Sequence, residues 1–87
     1  MELIFHYLNE VFVVAIRGKE IYFANRNTKM QMFPIEMLID MDNSIKDKEQ
    51  VKKEWRNQIN RLNSEKEVEK YVKLELESKG WNYIGRR

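Results

Sequence analysis

The run Val11-Phe-Val-Val-Ala-Ile16 constrains this chain more than any other stretch. Six consecutive apolar residues are too few for a stable helix. Three Val and one Ile stiffen the run toward extended backbone, so it is expected to be a strand. Arg17-Gly18-Lys19-Glu20 follows, and then Ile21-Tyr-Phe-Ala24. Gly accepts positive φ without strain, so Gly18-Lys19 predicts a two-residue hairpin turn. That turn places Arg17 opposite Glu20 as a favourable cross-strand pair.

The same logic extends the hairpin in both directions. Leu3 to Leu8 predicts a first strand that turns at Asn9-Glu10. Asn25-Arg26-Asn27-Thr28 predicts the third turn, because Asn tolerates left-handed backbone angles. Lys29 to Phe33 is then a fourth strand, ended by Pro34, which cannot donate to a ladder. With two-residue loops at Asn9-Glu10, Gly18-Lys19 and Arg26-Asn27, the pleat sorts the side chains into two faces. One face collects Leu3, Phe5, Tyr7, Phe12, Val14, Ile16, Ile21, Phe23, Met30 and Met32, with no charge among them. The other collects Ile4, His6, Leu8, Val11, Val13, Ala15, Tyr22, Ala24, Lys29, Gln31 and Phe33. A slip of one residue would mix the two sets, so their separation supports the register.

Beyond Pro34 the period changes. Residues 34–41 predict one or two helical turns, with Ile35, Leu38 and Ile39 on one side. Ser44 followed by Asp47 is close to a capping box, and Val51, Trp55, Ile59 and Leu62 form an apolar stripe, so a helix is expected over 44–62. Ser64 with Glu67 is a full capping box and opens a second helix over 64–79, with Val68, Tyr71, Val72 and Leu76 inward. On one continuous rod Val68 would lie roughly 240° around from Leu62, so a turn at Asn63-Ser64 is required. Gly80 ends the second helix, and Trp81 packs back toward Leu76. Residues 72–77 also alternate with period two, and could pair with Trp81–Ile84 as a hairpin. The expected fold is therefore α+β: a four-stranded antiparallel meander over about residues 2–33, a short helical turn, two helices packed on one sheet face, and a tail over 80–87, all in one domain.

Composition narrows the function classes. There is no cysteine, hence no disulfide framework and no thiolate. This is compatible with the expected cytoplasmic setting. The longest apolar run is six residues, against the ~18 of a membrane span. His6 is the sole histidine, which leaves little for acid–base or metal chemistry. Asp40-Met-Asp42-Asn43-Ser44 lacks the glycine and the closing glutamate of a calcium loop. The three glycines are isolated, so no phosphate-cradling loop exists. No enzyme, cofactor, metal or small-molecule substrate is expected.

Two binding surfaces remain. Two helices cover one face of a four-stranded sheet, and the other face needs a cover of its own. Either Trp81–Ile84 folds over it, or a protein partner does, most simply a second copy of the chain. His6, Val13, Tyr22, Gln31 and Phe33 are the expected contact residues. The alternative is nucleic acid, with single strands as one form it could take. Residues 44–87 hold twelve basic and eight acidic groups, against four and six in residues 1–43. Lys46, Lys52, Lys53 and Arg56 share one sector of the first long helix. Arg86 and Arg87 end an aromatic tail, a pairing of cations and rings suited to phosphates and unpaired bases.

Overall fold

The computed structural model describes residues 1–28 and 31–87. Among the described residues, five strands form one antiparallel sheet, and three helices pack against it. The strands are β1 (Glu2–Tyr7), β2 (Glu10–Arg17), β3 (Glu20–Asn25), β4 (Phe33–Pro34) and β5 (Asn82–Arg86), in the spatial order β4-β3-β2-β1-β5. The helices are α1 (Met37–Asp40), α2 (Lys48–Asn60) and α3 (Glu65–Ser78). The apolar run lies in β2, the middle strand, and Arg17 faces Glu20 across the Gly18-Lys19 turn as expected.

The first turn differs by one position from the expected one. Leu8 and Asn9 occupy its centre, with φ of 49° and 63°, so that Tyr7 faces Glu10 and Phe5 faces Phe12. A two-residue hairpin of this kind needs positive φ at both central positions, which Asn9 supplies readily and Leu8 only with strain. The pairing moves by two residues in all. An even shift leaves every β1 side chain on its expected face.

The fourth strand is where the expected register fails. β4 is only Phe33–Pro34, with Phe33 opposite Phe23 and Pro34 opposite Tyr22. The offset from the expected pairing is odd, so Phe33 turns to the helix side, where its ring lies 5.9 Å from that of Phe23. Pro34 is the last residue of the strand, as expected, at a sheet edge where proline is permitted. The Ile35 amide then donates to the Ile21 carbonyl at 3.0 Å and carries Ile35 into the core. Gln31 and Met32 are exposed outside the strand, and the expected positions of Lys29 and Met30 lie outside the described residues.

The helices follow the sequence signals with shorter ends. α2 starts at Lys48, because Asp47 is the residue whose carboxylate accepts the Gln50 amide, at 3.0 Å. Ser44 does not cap it; its amide and hydroxyl both donate to Asp42 Oδ1. Ser64 Oγ accepts the Glu67 amide at the start of α3, and the Glu67 carboxylate reaches back to the Asn63 amide. At the other end Gly80 adopts φ +93°. The amides of Gly80 and Trp81 bond to the carbonyls of Glu77 and Leu76, closing a Schellman motif.

That motif directs the chain into β5. Residues 72–77 stay helical, and 82–86 form a strand that pairs with β1, not with 72–77. The expected tail is thus a fifth strand at the sheet edge. It does not fold over the outer face. Trp81 enters the core at 4% exposure and packs among Phe5, Tyr7, Phe12 and Phe23. The core lies between sheet and helices. Leu3, Phe5, Val14, Ile16, Ile21 and Phe23 meet Trp55 and Ile59 of α2 and Val68, Val72 and Leu76 of α3. Among the described residues no polar or charged side chain is buried there.

Candidate functional site

Strand alternation delivers Ile4, His6, Val11, Val13, Ala15, Tyr22 and Ala24 to the outer face, outside the cluster that packs against the helices. Val13, Ala15 and Ala24 are short side chains in its middle, ringed by the taller, half-buried Ile4, His6, Val11 and Tyr22. Charges collect at one end, where Glu2, Arg17 and Glu20 share the face. Of the five expected contact residues, His6 and Tyr22 remain here. Val13 is 1% exposed and has no surface to offer a partner. Phe33 belongs to the opposite face, and Gln31 is off the sheet.

Both sheet edges are poor templates for adding another strand. β4 is two residues long and contains Pro34. β5 is interrupted by a register shift at Ile4/Phe5, which leaves Ile84 as the extra residue, and it ends in Arg86 and Arg87. Short length, proline, bulges and charge all discourage edge pairing. The outer face, not an edge, is the surface left for a flat contact.

The basic residues are largely occupied. Lys52 is salt-bridged to Asp40 and Glu49, Arg56 to Glu36, Arg86 to Glu69 and Arg87 to Glu2. Of the six cations expected to meet nucleic acid, only Lys46 and Lys53 make no ion pair among the described residues. A cation already paired releases fewer counterions on meeting a phosphate, so the electrostatic gain shrinks.

The Arg56–Glu36 bond is bidentate, at 2.6 and 2.8 Å, and spans twenty residues of sequence. The Arg56 guanidinium holds the Glu36 carboxyl below the ordinary carboxylate range. Hydrogen bonds from Ser44, together with the Lys79 ammonium, do the same for Asp42. A carboxylate with a depressed folded-state pKa stabilises the fold fully above its unfolded pKa. That stability is lost as pH falls through the folded value. Thermal unfolding followed by circular dichroism is therefore expected to show Tm falling from about pH 5 toward about pH 2. In Arg56→Met the Glu36 part of that fall disappears. An identical acid limb in the variant would show that the pair contributes nothing.

A second surface has no counterpart among the expected residues. A groove of about 740 Å³ opens where the β1–β2 turn meets α1 and the end of α3. Tyr7, Phe12, Phe23 and Trp81 line its aromatic side, and the α1–α2 loop from Met41 to Ile45 lines the other. Leu8 and Met41, 75% and 64% exposed, stand on its lips. Neither carried a sequence signal. By alternation Leu8 falls on a strand face, and Met41 lies in a loop whose path is set only by tertiary contacts.

His6 pairs across the strands with Val11 and Asn82, and among the described residues no three His, Cys, Asp or Glu side chains converge as metal ligands would. No helix among the described residues is long and apolar enough to cross a membrane. Compared with known proteins, the chain matches no family model, no curated protein and no solved structure.

Proposed function

We propose that this protein is a non-enzymatic cytoplasmic accessory protein that acts by protein–protein contact, and that it forms a homodimer through the outer face of its sheet. The observation that carries the reading is the rim of the outer face, where Ile4, Val11 and Tyr22 are half-buried side chains outside the helix-side core, around a middle of Val13, Ala15 and Ala24 that is already buried. A second copy suits that face in two respects. Its middle, Val13, Ala15 and Ala24, carries no charge and is already out of water, so contact there desolvates no polar group. Its charged end carries both signs, Arg17 and Glu20, which can pair across a two-fold axis.

Strands about 4.8 Å apart and about six residues long make a face of roughly 20 by 20 Å. Standard interfaces take about 800 Å² from each partner, so this dimer is expected to be reversible and concentration-dependent. The nucleic-acid alternative keeps two of its six cations outside intramolecular pairs, and no geometric observation favours it.

Sedimentation from micromolar to millimolar protein tests the reading. A reversible monomer–dimer equilibrium is expected. Tyr22→Lys places an ammonium on the face beside Glu20, where the fold accommodates it, and is expected to weaken association about 30-fold or more. A wild-type chain that stays monomeric throughout, or a variant that dimerises equally well, would refute the proposal.

A further inference from the structure

Lys48, the first residue of α2, sends its side chain back under the α1–α2 loop. Its Nζ donates to the backbone carbonyls of Asp40 and Asp42 at 2.8 Å each and of Ile39 at 3.4 Å. An ammonium has three N–H groups, and here three acceptors meet them. The carboxylates of the same loop are engaged elsewhere: Asp40 with Lys52, Asp42 with Lys79 and Ser44. The carbonyls at the end of α1 have no helical partner of their own, so without a cation they would face one another with their negative ends. Two of them are also structural acceptors. The Ile39 carbonyl takes the Asp42 amide and the Asp42 carbonyl takes the Ile45 amide, each at 3.2 Å. The ammonium and the turns of the loop thus share the same oxygen atoms.

We propose that these three carbonyls form a site for a monovalent, ammonium-class cation, with Lys48 as its tethered occupant, and that this single charge latches the wall of the aromatic groove. Met41 to Ile45 form that wall, and Leu38, just before the loop, also lines the groove. Removal of the charge frees the loop and changes the groove, while the sheet and α2 persist. α2 keeps its Asp47 cap and its buried Trp55 and Ile59. The inference is independent of dimerisation, since the groove and the outer face are different surfaces.

Amide hydrogen exchange on the full chain tests it, comparing wild type with Lys48→Met and Lys48→Arg. In Lys48→Met the Asp42 and Ile45 amides are expected to exchange about tenfold faster or more, while the amides of β2 and of the Trp55 turn keep their rates. Lys48→Arg retains the charge and is expected to stay near wild type. Methylammonium chloride is expected to slow loop exchange in Lys48→Met, and tetramethylammonium chloride at equal ionic strength is not, because it has no N–H to donate. Unchanged loop exchange in Lys48→Met would overturn the latch. So would a uniform acceleration across the chain or a failure to fold, since either would make Lys48 a support of the whole domain. Equal effects of the two salts would overturn the cation site.

Discussion

Trp81→Ala is expected to lower stability by about 3–5 kcal/mol, the range for deleting a large buried aromatic side chain. Total stability for a domain of this size is about 4–13 kcal/mol, so one substitution removes a large share of it. Trp81 stacks on Tyr7 with ring centroids 5.3 Å apart, lies 4.7 Å from Phe12, and meets Phe5 and Phe23 edge-on. It also stands where α3 hands the chain to β5, so truncation loosens the docking of the fifth strand on β1. Each kcal/mol lowers Tm by about 4–8 °C in a domain this small. Urea unfolding monitored by circular dichroism checks the magnitude. A loss below about 1 kcal/mol would mean that Trp81 is not the anchor its burial indicates.

Trp55→Ala is expected to cost a similar 3–5 kcal/mol, by the same cavity argument. Trp55 is 6% exposed and meets Tyr71 of α3 edge-on at 5.3 Å, so it joins the two long helices as well as covering the sheet. It differs from Trp81 in one respect. Its Nε1–H is buried with no acceptor among the described residues. A buried donor without a partner costs about 1–3 kcal/mol, and Trp55→Phe removes that donor while keeping most of the ring. Trp55→Phe is therefore expected to be close to neutral. Urea denaturation of both variants separates the contributions. If Phe proved as damaging as Ala, the indole nitrogen would have to be bonded in solution.

What the residues alone determine about this protein is local. Val11–Ile16 and Gly18-Lys19 specify the central hairpin, because β-branched side chains and a positive-φ glycine act within a few residues. Ser64 with Glu67, and Gly80 before Trp81, mark both ends of α3 for the same reason. The two-faced pattern of β1 to β3 survives even where the first turn moves, since an even shift preserves the pleat.

Tertiary structure decided everything that depends on partners far apart in sequence. Phe33 faces the helices because the ring of Phe23 and the path to Ile35 draw it there. A loop of unknown length makes the parity of that strand unreadable in advance. The strand Asn82–Arg86 pairs with β1 and not with its near neighbours, because the free edge of β1 offers open hydrogen bonds while 72–77 are already committed to α3. Arg56, Arg86 and Arg87 carry basic letters, yet each ends in an ion pair with an acid remote from it in sequence. Charge is a property of the residue, but its availability depends on what the fold brings within reach.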